Sequence, residues 1–412
     1  MTRPRLRLGM VTDGWWPERG GVQTVTRELA SAFIRSGHEV FTLALDRQSS
    51  AAQGSVREEW IDGVHVRRVH WRDEGQDSLD ALIRCPELEE QVARWSGEFG
   101  FDLVHLHSLC SFGLGAPIRL QELNVPVVWT WHDYWPICPR GQMWHLDGVL
   151  CEGTEASVCG DCVSRTWPLL AGDGRGVIEK RQGSARAAVD ACARVFFPSS
   201  AARDIAVANG YPLLKLCVCE NGSDPLLDSG ASNSSWRGPV LRIGLLGSVQ
   251  PSKGVLEFAR WIVELGKGFE LHVHGDRAPY HGDASYVDAL MALAESNTNL
   301  QLHGPYDHGM RGAVFRALDL IAVPSLWQES FGLVAREARR AGLPVFVSNR
   351  GGLVSEELYV LPAADGEAWK TALQRFVSDE AWRVELSRPS STLRSSSQMA
   401  QELLAVYEEI LN

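Results

Sequence analysis

Short uninterrupted apolar runs alternate along this chain with longer stretches in which apolar residues recur every three or four positions. Residues 6–12 are apolar enough for a buried parallel strand, and a glycine-bearing loop from Gly14 to Gly21 follows. Val22, Val25, Thr26, Leu29, Ala32 and Phe33 then return at helical spacing. Gly37 closes that helix, and 40–45 reads as the next strand. Runs at 101–107, 126–131 and 194–197 are further short buried strands. Alternation of this kind predicts an α/β fold with a parallel, doubly wound sheet.

Between Asn221 and Pro239 the pattern stops. Asn221-Gly-Ser-Asp224-Pro and Asp228-Ser-Gly-Ala-Ser-Asn-Ser-Ser form a polar, turn-rich stretch, the best candidate linker. A second strand–helix series starts at 240–247, with strands expected at 269–274, 299–303, 318–323 and 344–348. Residues 399–411 form an amphipathic helix. The expected division is an N-terminal domain over 1–225 and a C-terminal domain over 238–390. The 412 residues exceed one ordinary core and suit two domains.

The composition, 45% hydrophobic and 22% charged, is globular. The net charge of -11 argues against nucleic acid as a partner, because neutralising phosphates needs a basic surface. The N-terminal apolar run is too short for a signal peptide, and no segment is long and apolar enough for a transmembrane helix. The expected location is the cytoplasm, including the inner face of its membrane.

The densest chemistry lies in Trp327-Gln-Glu329-Ser330-Phe331-Gly332-Leu333-Val-Ala-Arg-Glu337, with Gly342-Leu-Pro-Val-Phe-Val and Gly351-Gly352 close behind. Two carboxylates stand eight residues apart, one just before a helix and one within its opening turns. Between them, Phe331-Gly332-Leu333 offers backbone N–H groups where the helix dipole favours a phosphate. One element can thus hold a sugar hydroxyl, a diphosphate and a ribose diol. A bare pair of glutamates would more often be an ordinary surface helix; the ordered surroundings, from Pro324-Ser325 to Gly342-Leu-Pro-Val, weigh against that.

This stretch resembles the E-x7-E element of glycosyltransferase family 4, the retaining enzymes of GT-B architecture. The resemblance covers nearly the whole chain and is most specific at 247–254 and 324–352. It implies two Rossmann-like doubly wound domains facing across a cleft, with the C-terminal helix, 396–412, crossing back onto the first domain. Gly247-Ser248-Val-Gln-Pro-Ser-Lys253-Gly254 resembles the family's Gly-Arg-x4-Lys-Gly phosphate element, with Ser248 where the family has Arg. One cation is therefore missing from the phosphate cradle, with Arg311 and Arg350 as conceivable substitutes. Gly20-Gly21-Val resembles a turn lying against the donor diphosphate, and Thr130-Trp-His132-Asp133 a strand end whose histidine sits beside the transferred sugar.

The implied roles follow. Lys253 meets the diphosphate, Glu329 the donor sugar hydroxyls, Glu337 the ribose diol, and the backbone of 331–333 the phosphate. Tyr306 lies near the base, His132 and Glu329 stand at the chemistry, and His107 is a weaker acceptor-side candidate. The implied reaction moves a sugar from a nucleoside diphosphate sugar, UDP or GDP type, to a hydroxyl on a sugar, lipid-linked or small-molecule acceptor. No catalytic divalent metal is expected, and no Asp-x-Asp motif is found. Rival readings are a nucleotide-sugar epimerase on the same architecture and a non-catalytic sugar-nucleotide-binding protein.

Four of the nine cysteines, Cys138, Cys151, Cys159 and Cys162, fall in what reads as one loop. The Cys-x-x-Cys pair suits two thiolate ligands of a tetrahedral zinc, and the other two complete a four-thiolate site. A loop this long needs something to order it. Structural zinc is the expected occupant, with an iron–sulfur cluster, a disulfide or free thiols as alternatives, and His145 as a substitute for one thiolate. The aromatic residues around it, Trp129, Trp131, Tyr134, Trp135 and Trp144, read as packing.

Overall fold

The computed structural model describes residues 5–18, 20–48, 50–72, 77–224, 236, 238–388 and 393–412. Most of the expected linker, residues 225–235 and 237, therefore lies outside the described residues. The chain divides into two compact units, one of residues 1–222 with 394–412, the other of residues 223–393.

The first unit is built on an eight-stranded sheet. Its strands are β1 (Arg7–Thr12), β2 (Glu39–Asp46), β3 (Val56–Ile61), β4 (Val64–His70), β5 (Leu103–Leu106), β6 (Val127–Thr130), β7 (Arg194–Phe197) and β8 (Leu216–Val218), in the order β3-β4-β2-β1-β5-β6-β7-β8. Every pairing is parallel except β3 with β4, an antiparallel edge hairpin. The hairpin has no counterpart in the apolar pattern, because β3 reads Val-Arg-Glu-Glu-Trp-Ile and faces solvent on an edge. The buried runs of β1, β2, β5 and β6 are the ones the pattern singles out.

The C-terminal helix Ser396–Leu411 belongs to this unit. A capping box at Ser395 and Gln398 starts it. Ser396 donates to Glu28 at 3.0 Å on the helix Gly21–Arg35, and Tyr407, fully buried, meets His105 Nδ1 at 2.6 Å beneath β5.

The second unit carries β9 (Leu241–Leu246), β10 (Phe269–His274), β11 (Leu300–Leu302), β12 (Leu320–Val323), β13 (Val345–Ser348) and β14 (Tyr359–Leu361), all parallel, in the order β11-β10-β9-β12-β13-β14. Counted from its own first strand, this is the 3-2-1-4-5-6 order of a dinucleotide-type fold. Strand order reverses between β9 and β12, so the loops leaving those two strands flank the crevice where such sheets bind ligands. The core is made by β9, β10, β12 and β13 against the helices Val255–Leu265 and Gly366–Ser378, with Phe258 and Trp369 fully buried between them. Among the described residues no helix is long and apolar enough to cross a membrane.

Candidate functional site

In the second unit the sequence-predicted residues gather at that reversal. The loop after β9 ends in a 3-10 turn, Pro251–Lys253, before the helix Val255–Leu265. Gly254 holds a left-handed φ of 67°, and a Cβ there would stand 2.3 Å from the Pro324 carbonyl oxygen. The loop after β9 thus presses directly on the loop after β12. Leu326 N–H and Trp327 N–H both donate to Ser252 O, at 2.8 and 3.2 Å, and lock the contact.

This clamp brings Lys253 to Glu329. Lys253 Nζ donates to Glu329 Oε1 at 2.7 Å, and Ser325 Oγ donates to the same oxygen at 2.6 Å. The ammonium also stands 4.9 Å from the centre of the Trp327 ring. Glu329 is 5% exposed, and its backbone carbonyl accepts from Gly352 N–H at 2.7 Å. Gly351, at φ 52°, is required there: a Cβ would fall 2.3 Å from Glu329 O. The Gly351-Gly352 pair therefore shapes the seat of Glu329.

Ser330 and Phe331 are buried beside it, and Gly332 caps the helix Leu333–Arg340 with no side-chain hydrogen bond. A helix start without a side-chain cap leaves first-turn N–H groups for an anion. Arg336, which sequence reasoning missed, lies over the Phe331 ring at 4.2 Å, donates to Phe331 O, and donates to Gly352 O at 2.7 Å. Only its place one turn after Gly332 could have signalled that role.

Glu337 is buried at the centre of the same helix and pairs with the equally buried Arg311. Tyr306 is half-buried nearby; burial first, then the Glu337 charge, pushes its phenol up. Ser248 is exposed at the end of β9. Of the two arginines considered as replacements for the missing cation, Arg311 is engaged by Glu337, and Arg350 donates to Leu326 O at 3.1 Å.

In the first unit the carboxyl ends of β1, β5 and β6 gather a second polar group. Asp13, after β1, accepts from Ser108 Oγ at 2.5 Å and from Cys110 and Ser111 N–H at 3.1 and 3.2 Å. His132, after β6, meets His107, after β5, at 3.1 Å between Nε2 and Nδ1, with the rings stacked. Burial lowers His132 to about 4 and His107 well below its ordinary range, so both are neutral at neutral pH and one donates to the other. Asp133 is solvent-exposed and accepts from Trp135 N–H at 2.8 Å. Gly20 and Gly21 are exposed at the start of the helix Gly21–Arg35, where Gly20 provides no side-chain cap. Asp13 and Arg47, which donates to Asp13 O at 3.0 Å, are further residues that the sequence pattern did not mark.

The cysteines depart from expectation in one respect. Cys159 and Cys162 do not lie in a loop but on a helix, Ala156–Thr166. Three residues apart, they share one of its faces. Together with Cys138 and Cys151 they line one cavity of about 570 Å³. Among the described residues no three His, Cys, Asp or Glu side chains are drawn to a common point as metal ligands. Trp129, Trp131, Tyr134, Trp135 and Trp144 are all buried.

Comparison with known proteins follows the same division. Residues 19–225 match the family model described as Glycosyltransferase Family 4, and residues 240–379 match that described as Glycosyl transferases group 1. A D-inositol 3-phosphate glycosyltransferase of Pseudarthrobacter chlorophenolicus is 26% identical, over 92% of this chain and 87% of that protein. One from Corynebacterium jeikeium is 37% identical over 41% of this chain and 43% of that protein. Among solved structures, sucrose-phosphate synthase from Thermosynechococcus elongatus superposes with a TM-score of 0.71 at 17% identity, covering 98% of this chain and 99% of that one. Anabaena HepE in complex with UDP and glucose gives 0.69 at 15% identity, covering 98% and 100%. At these identities the structural likeness speaks to the fold.

Proposed function

The chain belongs to glycosyltransferase family 4 and carries the two-domain GT-B fold, and from that premise we propose that it moves a sugar from a nucleoside diphosphate sugar to an acceptor hydroxyl with retention at the anomeric carbon. The observation that carries this reading is the Lys253–Glu329 pair beside a helix start with no side-chain cap, at the strand-order reversal of the second unit. A cation and a set of backbone N–H groups suit a diphosphate; a carboxylate at the same point suits sugar hydroxyls. HepE, of the same fold, is known in complex with UDP and glucose, which supports a nucleotide sugar as the donor.

In this reading the acceptor oxygen attacks the anomeric carbon from the face the diphosphate leaves. The bond to the phosphate oxygen breaks with its electron pair, and the acceptor proton passes to the departing phosphate. Lys253 and the N–H groups of 331–333 take up the charge growing on the leaving group, without a divalent cation. Glu329 orients the sugar, Glu337 faces the ribose and Tyr306 the base. His132, held neutral, lies by the acceptor and accepts or donates one hydrogen bond. The relatives named for D-inositol 3-phosphate make a small polyhydroxylated acceptor the first to try.

The test is transfer of label from a panel of UDP- and GDP-sugars to a cell extract, with the anomeric configuration of the product read by NMR. Labelled product of unchanged configuration supports the proposal. Inverted product removes the retaining assignment. Release of free epimerised sugar would favour an epimerase, and binding without turnover a non-catalytic protein.

A further inference from the structure

The cysteine cavity lies outside the transfer machinery, and its construction has its own logic. Cys138 opens a tight turn through Pro139 and Arg140 that closes with Gly141 N–H on Cys138 O at 2.7 Å. The backbone N–H groups of Arg140 and Met143 both donate to the Cys138 sulfur. Cys151 follows a small hairpin in which His145 N–H donates to Val149 O at 2.8 Å and Trp144 bridges Leu150. Its N–H donates to Met143 O at 2.9 Å, which ties the second cysteine strand to the turn of the first. Cys159 and Cys162 supply the facing wall from one helical turn.

All four cysteines line this one cavity. Positive charge is provided as well. Arg140, 6% exposed, lines the cavity and donates to Thr166 Oγ1 at 2.7 Å, and Thr166 Oγ1 donates in turn to Cys162 O at 2.7 Å. Arg181, 2% exposed, stands near Cys138 and holds Pro136 O at 3.0 Å. A four-thiolate zinc centre carries a net charge of about minus two, and buried guanidinium groups at its border would offset it.

We propose that Cys138, Cys151, Cys159 and Cys162 hold one structural zinc ion. On binding, each thiol gives its proton to water and each sulfur pair enters the metal shell, so one zinc ion displaces four protons and no redox change occurs. The ion would draw the four sulfurs inward from the cavity walls. Its shell is then complete, which leaves no position for a reacting water. The role is to pin the 138–162 segment, which begins six residues after His132. His145 lines the same cavity, but its Nδ1 is occupied by Asp147, at 3.2 Å from the N–H and 3.3 Å from the carboxylate.

The experiment uses the full chain purified without chelator. Elemental analysis should find about one zinc per chain, and cobalt replacement should give the intense visible and charge-transfer bands of a tetrahedral tetrathiolate. Cys151→Ser and Cys159→Ser should each reduce the zinc content to background, while Cys217→Ser, on β8, keeps it. His145→Ala should also keep it; loss of metal there would replace the four-thiolate set by three thiolates and an imidazole. Should the serine variants fail to fold, the cobalt spectrum of the native chain still decides. A brown protein containing iron and sulfide, two disulfides by peptide mapping, or four free thiols without metal each overturns the proposal.

Discussion

Lys253 Nζ lies 2.7 Å from Glu329 Oε1, and the two residues come from loops following β9 and β12 that are 76 positions apart in sequence. The pair neutralises a carboxylate that is otherwise buried, with Ser325 as a second donor. It also means that the residue suited to phosphate and the residue suited to sugar hydroxyls form one electrostatic unit before any ligand arrives. An ammonium carries three donors, so Lys253 can hold Glu329 and still reach an anion.

Lys253→Met should therefore affect folding as well as donor binding. Breaking a buried pair costs about 3–5 kcal/mol when both groups are enclosed; Lys253 is 28% exposed, so a loss of about 1–3 kcal/mol is expected. Glu329→Gln should cost a similar amount, and the double variant less than the sum. Urea unfolding of the four proteins measures the coupling. Strict additivity would show that the contact does not contribute.

Gly254→Ala should be more damaging than a glycine-to-alanine change at an ordinary turn. The position combines a left-handed backbone with the Pro324 carbonyl 2.3 Å from the new Cβ, and that neighbour is backbone, not a movable side chain. A loss of about 1–3 kcal/mol is expected. The two loops would separate, and Lys253 with them, so nucleotide-sugar affinity measured by calorimetry should fall as well. Full retention of both stability and affinity would refute the clamp.

Much of this site was legible because its signals are local. The glycine and proline positions and the buried runs of β9, β12 and β13 appear in consecutive residues. The pairing partners were not legible. Nothing in the neighbourhood of Arg311 says that it meets Glu337, or that Arg336 bridges Phe331 and Gly352, because such contacts depend on how strands are ordered in the sheet. The edge hairpin β3–β4 escaped for a different reason: β3 is largely polar and half exposed, so apolar periodicity is weak where burial is one-sided. The helical state of Cys159 and Cys162 was hidden by the turn-rich residues before it.

Acid should weaken the first unit through His105 and His107. Both are buried, 1% and 2% exposed, and burial lowers His105 to about 3 and His107 well below 6.5. Their folded forms are neutral, whereas the unfolded chain takes up protons as the pH drops through 6.5. The stability they confer is thus complete above about pH 6.5 and is lost progressively as the pH falls toward the folded value. A loss on the order of a few kcal/mol is expected between about pH 7 and about pH 4.5. His105→Gln should flatten this limb by removing one of the buried histidines that titrate on it; His132, which burial lowers to about 4, contributes alongside His105 and His107. Urea midpoints across the pH range read it out; a native profile no steeper than the variant's would contradict the assignment.

Arg311 and Glu337 separate fold from function most sharply. Both are almost wholly buried and paired with each other on the second unit. Arg311→Met leaves a buried carboxylate without its cation and should cost about 3–5 kcal/mol. Replacing both, Arg311→Met with Glu337→Leu, removes the charges together and should recover much of that loss, since an apolar pair of similar volume avoids the desolvation cost. Donor binding should not recover. If Glu337 receives the ribose diol, every variant lacking its carboxylate should lose about 1.5–3 kcal/mol of nucleotide affinity, the value of a hydrogen bond to a charged group. The discriminating sample is the double variant: stable but unable to bind donor supports the ribose role, whereas stable with native affinity would confine Glu337 to holding Arg311.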